Sequence, residues 1–554
     1  MAQRRLVPCC NRLSFASVSE MPFGWEVGLR MRRPELGSQS RFVRVARAAH
    51  RCAAPARRIA LALPICLTVA LAPFAASAEV ELAEVGNLKV TVAFTGGLGL
   101  FGVHNVDFGR GNFDYNSDKV RRNRTWGEAW AKPSISFEYL LDDAPTYLSK
   151  SSSIYGTFSV IGTGTFGYGD AVAGMSTTSF RPTYLWPEDM FIGWKSGGLF
   201  PELGDDAIDI SIGNQPLTIG DGLLINGATT NAFQRAAYYT SPRSAFQKTV
   251  VLKLDPSELV PLRGTFFHLE DVSDQSLMRG MDQPKSKLLG FSIDWHGDSR
   301  PDKLGSLADL WVVTGTYFQI YASDQAPLGS TAANRNGLNV FSARAAGSFL
   351  PFNRNILFFG EYVAEVNNRS GRKTNASGWY VEPGYQFNLP WNPIVTFRYA
   401  WFSGDGDPTG GGTKHSFDSL FYGAGGRGMG PGTWYIGEIY GWYQQGLTNI
   451  NVQQVSLRAS PLSELNIGAN YYHINFNKLG QVNQVINTGM PITSKRAMDE
   501  LDIYAEWSPT EWLTVVPTVA VGVPGAGYKQ VDTGTGRSGT STIFLGQVVA
   551  TVKF

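Results

Sequence analysis

Five cationic side chains, Arg124, Lys132, Arg344, Arg398 and Arg458, fall on the polar face of stretches in which apolar and polar residues alternate. Glu361, Glu365 and Glu382 occupy equivalent positions, as do Glu128, Glu138, Asp294, Glu500, Asp502 and Glu506. Strand side chains alternate with a period of two, so these charges would share one side of a sheet. Charged groups facing water can line a pore that passes ions or hydrophilic solutes, and that task needs no nucleophile. Guanidinium grips carboxylate in a bidentate fork, so the five cations would draw a uronate polymer. Equally, each could pair with an acid on the neighbouring strand. The acids are as numerous, and residues 79–554 carry 36 basic and 43 acidic side chains, a net charge of −7. A mixed lining of that kind is not that of a strongly anion-selective conduit.

Asp405, Asp407 and Asp418 lie in or near a Gly-rich stretch, 404–432, and could offer oxygen ligands to Ca2+. Their spacing is not that of an EF-hand, and Asp-Gly pairs are common in turns. No other cofactor is expected. The glycines of 423–432 are followed by no Lys-Ser/Thr pair and so form no phosphate loop. His104, His268, His296, His415 and His473 are scattered without metal-ligand spacing. A barrel enzyme would need Ser/His or Asp/His groups assembled at its rim. His296 with Asp294, and His415 with Asp418, are near in the chain but fit no motif, so no enzyme is expected. A net acidic chain without a basic arm argues against nucleic acid.

The elements that must carry these side chains are strands. Ile208, Ile210 and Ile212 alternate with Asp209, Ser211 and Gly213; Leu289, Phe291, Ile293 and Trp295 alternate with Gly290, Ser292, Asp294 and His296. The longest such run sets Trp379, Val381, Pro383, Tyr385, Phe387 and Leu389 against Tyr380, Glu382, Gly384, Gln386 and Asn388. Val395 and Phe397 oppose Thr396 and Arg398, and Leu501, Ile503 and Trp507 oppose Glu500, Asp502 and Glu506. Full charges on one face and bare hydrocarbon on the other suit a closed barrel with water inside and lipid outside. Closure leaves no unpaired sheet edge in the membrane. The pattern predicts an all-β, transmembrane antiparallel barrel of about 18 strands over residues 79–554. The last strand, Phe544 to Phe554, ends in an aromatic residue, the signal by which assembly machinery would recognise such a barrel. Trp379, Trp401, Tyr471 and Trp507 are expected near strand ends, in interfacial girdles. Short connections at 349–354 and 508–511 read as periplasmic turns; 404–432 and 475–497 read as external loops.

Residues 1–78 stand apart. They hold 12 Arg, no Lys and all four cysteines. Arg57 and Arg58, an apolar run from Ile59 to Phe74, and Ala76-Ser77-Ala78 have the order of a secretory signal peptide cleaved before Glu79. No later stretch is apolar for long enough to span a membrane as a helix. Aromatics at 12% and 62 glycines fit many short strands and turns.

Three stretches resemble the alginate-export family of bacterial outer-membrane proteins. They are Ile212 to Leu217 running into Gly220-Asp221-Gly222, Ser403 to Pro408 with Phe417 to Gly423, and Asp499 to Asp502 with Ala505-Glu506-Trp507 and Pro524-Gly525. The resemblance implies an eighteen-stranded barrel in the outer membrane, passively moving an alginate-like polysaccharide or small hydrophilic solutes. An uptake channel for an apolar or aromatic small molecule, constricted by Phe417 to Tyr422, is the alternative. The segment 404–432 could fold inward as a gate or lie outside as a cap.

Overall fold

The computed structural model describes residues 80–114, 119–141, 150–168, 183–227, 236–237, 239–240, 245–256, 258–272, 285–297, 311–323, 335–350, 353–369, 373–409, 412–422, 436–441, 447–485, 487, 489–532 and 539–554. The leader expected over 1–78 and the glycines of 423–432 lie outside the described residues. Among those described, eighteen strands from Leu88–His104 to Ile543–Lys553 pair antiparallel, each with its neighbour in sequence. The first and last close the sheet, from Thr95 opposite Lys553 to His104 opposite Phe544. The expected closed barrel is therefore found. A short extra strand, Val80–Val85, folds back as a hairpin on Leu88–Val92, below the point where the last strand ends.

Alternation settles which way each side chain points. Ile212, Leu289, Trp295, Phe397, Leu501 and Ile503 are exposed on the outer face. Their neighbours Ser211, Ser292, Thr396, Arg398, Glu500 and Asp502 are buried inside. Lipid takes up the first set, and the second needs hydrogen-bond partners; slipping any strand by one residue would exchange them. Strand lengths of 9 to 17 residues equal or exceed what a tilted strand needs to cross a bilayer. The C-terminal residue completes the wall. The Phe554 N–H donates to Phe94 O at 2.8 Å, and the Phe554 ring stacks on Trp512 at 5.4 Å.

Connections differ in length at the two ends. Two-residue turns, Ser463-Glu464 and Glu511-Trp512, lie at one end, where rings such as Trp295, Trp311 and Phe349 contact in series at 5.0 and 5.4 Å. The two longest, 217–244 and 403–449, leave from the other. The expected turn at 508–511 is shifted, because the strand Arg496–Thr510 continues past Pro509. The run ending at Leu389 is shorter than its alternation suggested. Its strand stops at Gln386, and Leu389 and Trp391 stand exposed in the turn that follows. Trp379 and Tyr471 lie mid-strand rather than at strand ends. The 475–497 loop contains a short helix, Leu479–Val485.

Candidate functional site

The long connections do not stand clear of the barrel. Segments 217–227, 403–422 and 436–441 are largely buried, and their apolar side chains join the inward residues of the wall in one core. Phe417 packs on Phe402 at 5.3 Å and Phe421 on Phe246 at 5.6 Å. Two of these segments bond to each other: the Asn226 N–H donates to Phe421 O at 2.8 Å, and the Phe421 N–H to Leu224 O at 3.0 Å. Of the two outcomes open for the 404–432 loop, its described part takes the inward one.

Backbone amides inside a barrel have no sheet partner and must be met by something else. Here the wall's carboxylates meet them. Glu365 accepts the Asp418 N–H at 3.0 Å. Glu500 accepts those of Ile439 and Tyr440, at 2.5 and 3.0 Å, and Asp502 accepts that of Glu438 at 3.1 Å. Glu128 accepts the N–H groups of Tyr239 and Thr240, each at 2.9 Å. The close approach at Glu500 requires glycine. Gly437 has φ +84°, and a Cβ there would lie 2.7 Å from the Glu500 carboxyl carbon.

The first anchor carries buried cations of its own, Arg335 and Lys414. Arg335 grips Asp418 through Nε and Nη2, both at 2.8 Å, with its guanidinium 5.6 Å above the Phe421 ring. Burial alone would raise the Asp418 carboxyl, but Arg335 and Lys414 hold it below the ordinary range. Burial also lowers the Lys414 amine. A second loop contact uses a predicted cation. Arg344 Nη2 donates to Asp221 at 2.5 Å, and Tyr380 Oη donates to the other carboxylate oxygen at 2.6 Å. Gly220 beside it has φ +57°, and a Cβ would meet the Arg344 side chain at 2.9 Å.

The other anchor has no basic side chain against it among the described residues. Glu438 meets Tyr239 Oη at 2.9 Å and Gln547 Nε2 at 3.4 Å, beside Asp502 and Glu500. Burial, then the neighbouring Asp502 carboxylate, pushes the Glu438 carboxyl well above its usual value.

The remaining predicted lining residues face inward and are largely paired within the wall. Arg398 donates to Glu382 at 2.7 and 2.8 Å, and Thr396 adds a third bond to Glu382 at 2.8 Å. Arg458 meets Glu506 at 3.0 Å, Lys132 meets Asp189 at 2.7 Å, and Glu361 accepts from Ser342 at 2.6 Å. Arg124 is buried at the long-loop end of its strand. Two of the three aspartates proposed for Ca2+ are engaged elsewhere. Asp418 holds Arg335, and Asp405 accepts the N–H groups of Asp407 and His415 at 3.0 and 3.2 Å. Among the described residues no group of three His, Cys, Asp or Glu could hold a metal ion.

Residues 311–538 match the alginate-export family. The match contains two of the three stretches that suggested the family, and both anchors in 403–441; Asp221, Glu128, Tyr239 and Gln547 lie outside it. No curated protein matches the chain. Solved structures similar to it include Pseudomonas aeruginosa OccK5 (OpdH), at 9% identity and a TM-score of 0.45 over 83% of this chain and 97% of that one. Acinetobacter baumannii OccAB4 gives 10% and 0.45 over 83% and 97%; Pseudomonas putida OprB gives 12% and 0.38 over 84% and 94%. With this family match, a closed barrel and an apolar outer face, the chain is an outer-membrane channel.

Arg335, Lys414, Asp221 and Glu438 escaped sequence reading because they lie on connections, where alternation carries no signal. Gly220-Asp221-Gly222 did carry one, since glycines flanking an acid mark a backbone that approaches another surface closely.

Proposed function

We propose that this channel passes small hydrophilic solutes by passive diffusion, with the inward loops restricting what enters. One observation carries the reading: Lys132, Arg344, Arg398 and Arg458 each hold a carboxylate of the same chain. Paired guanidinium groups offer a polyuronate less net attraction than a bare cationic ladder would. The family match favours a second reading, passage of an alginate-like polysaccharide, in which the polymer's carboxylates would exchange with Asp221 and Glu382 on those arginines. The apolar-solute reading has less support, because Phe417 and Phe421 are taken up in packing. Delivery of the chain to barrel-assembly machinery would use the terminal strand and Phe554.

Single-channel recording of residues 79–554 in a planar bilayer tests the choice. Weak ion selectivity, with current undiminished by added oligouronate, is expected. Anion selectivity with block by the oligouronate would reverse the order of the two readings.

A further inference from the structure

The barrel end that carries the two-residue turns is the one that faces the periplasm in bacterial outer-membrane barrels. Two residues suffice for a connection there at Ser463-Glu464, yet 196–207 takes twelve and 255–261 takes seven. The surplus chain is ordered by its own backbone. The Gly198 N–H donates to Lys150 O at 2.8 Å, the Asp206 N–H to Gly197 O at 2.8 Å and the Leu203 N–H to Phe200 O at 2.9 Å. Gly197 has φ +56°, and a Cβ there would lie 2.3 Å from Ser151 O. The second connection turns at Pro256, whose carbonyl accepts the Leu259 and Val260 N–H groups at 3.0 and 2.9 Å. The two connections touch. The Asp255 N–H donates to Ala207 O at 2.8 Å, and Glu258 lies over Gly204, where a Cβ would stand 2.9 Å from its Cγ.

These ordered turns hold apolar side chains outward. Leu259 is 65% exposed and Phe200 41%, with Val260 and Leu199 exposed beside them. Hydrocarbon does not account for this. Leu262 stands level with Trp295, in the aromatic ring at this end, and the chain before Leu262 runs past that ring into water. The surrounding charge is negative. Glu202, Asp205 and Asp206 lie in the first connection and Asp255 and Glu258 in the second, and neither contains Lys or Arg. Lys150 and Arg263 reach in from the flanks and pair with Asp206 and Asp255. Glu202 and Glu258 are exposed and make no ion pair among the described residues. Anionic lipid headgroups would be repelled by such a surface, and exposed apolar side chains ringed by charge mark a protein contact.

We propose that this surface docks a basic, amphipathic segment of a periplasmic protein. Phe200 and Leu259 supply the apolar contact, and Glu202 and Glu258 meet lysines or arginines at its rim. Ordered turns present the patch ready-made, so little conformational freedom is lost on docking. The contact lies outside the lumen and does not depend on what passes through it.

The test uses the folded barrel in a neutral detergent. The probes are a fluorescent Lys/Leu peptide patterned as an amphipathic helix and the same peptide with Glu for Lys. Anisotropy is read against empty micelles. The basic peptide should bind saturably and the acidic one should not. F200S/L259S should weaken binding by about tenfold or more. E202Q/E258Q should weaken it by roughly fivefold, and it gives an independent reading if the first variant fails to fold. Equal binding of the two peptides, or unchanged binding by either folded variant, would overturn the proposal. Hydroxyl-radical labelling of the barrel in phosphatidylcholine bilayers should modify Phe200 and Leu259. Protection of both would put them under lipid and would also overturn it.

Discussion

The two loop anchors solve one problem with opposite electrostatics. At Asp418, two buried carboxylates, Asp418 and Glu365, face two buried cations, Arg335 and Lys414. At Glu438, three buried carboxylates meet amide N–H groups, Tyr239 and Gln547, with no basic side chain against them among the described residues. A cluster that holds its own cations is costly to break from either side, because removing one member strands the others without water. A cluster of carboxylates alone is held by hydrogen-bond donors, and burial raises its loop carboxyl, Glu438. The first loop is therefore expected to stay docked and the second to respond to pH.

The largest expected effect tests the anchor that holds its own cations. Arg335→Ala leaves Asp418 and Glu365 with only Lys414, a change that typically costs about 3–5 kcal/mol for a buried pair. The 403–422 segment should leave the lumen, raising single-channel conductance and opening that segment to protease. Arg335→Lys keeps the charge but loses the two-point grip, and should do less. Unchanged conductance in Arg335→Ala would mean that the ion pair does not hold this loop.

A smaller effect is expected at Glu500. Glu500→Ala strands the Ile439 and Tyr440 amides, at about 1–3 kcal/mol for each unsatisfied buried group. Hydrogen exchange at those two amides should accelerate while that at Asp418 stays slow. Acceleration at all three would show the anchors to be one cooperative unit.

These partners divide by what sequence can carry. Glu365, Arg398, Glu500 and Asp502 were legible as inward-facing because strand periodicity fixes the side of the sheet. The barrel, its eighteen strands and its closure follow from the same rule. Sequence could not say what each inward charge touches. Arg344 pairs with Asp221 across 123 positions, and Arg335 with Asp418 across 83. Such contacts depend on how a connection folds back into the lumen, and no local pattern encodes that path. Several acids that alternation places along the lumen are hydrogen-bond acceptors for the protein's own backbone. Counting where inward amides must find acceptors would have pointed there.

The smallest and most diagnostic effect is the response to pH. The groups around Glu438 are Asp502 and Glu500 from one strand, Gln547 from the last strand, and Tyr239, whose amide is in turn held by Glu128. None supplies a positive charge. Burial and Asp502 raise the Glu438 carboxyl well above its ordinary value of 4.5 when the loop is docked. The docked state therefore binds a proton more tightly than the released one. Docking should be at full strength below about pH 4.5 and weaken as pH climbs from there toward the raised value, by about 1.4 kcal/mol per unit within that window. Conductance should rise with pH over the same range. Glu438→Gln keeps an acceptor for Tyr239 but cannot ionise, so its conductance should be low and flat with pH. The Asp418 carboxyl is shifted the opposite way, so its own titration should contribute nothing to this rise. A pH response that survives in Glu438→Gln would assign the titration to the wall's buried carboxylates that hold loop amides, Glu365, Glu500 and Asp502, and would leave the wall, not the loop, as the element that senses protons.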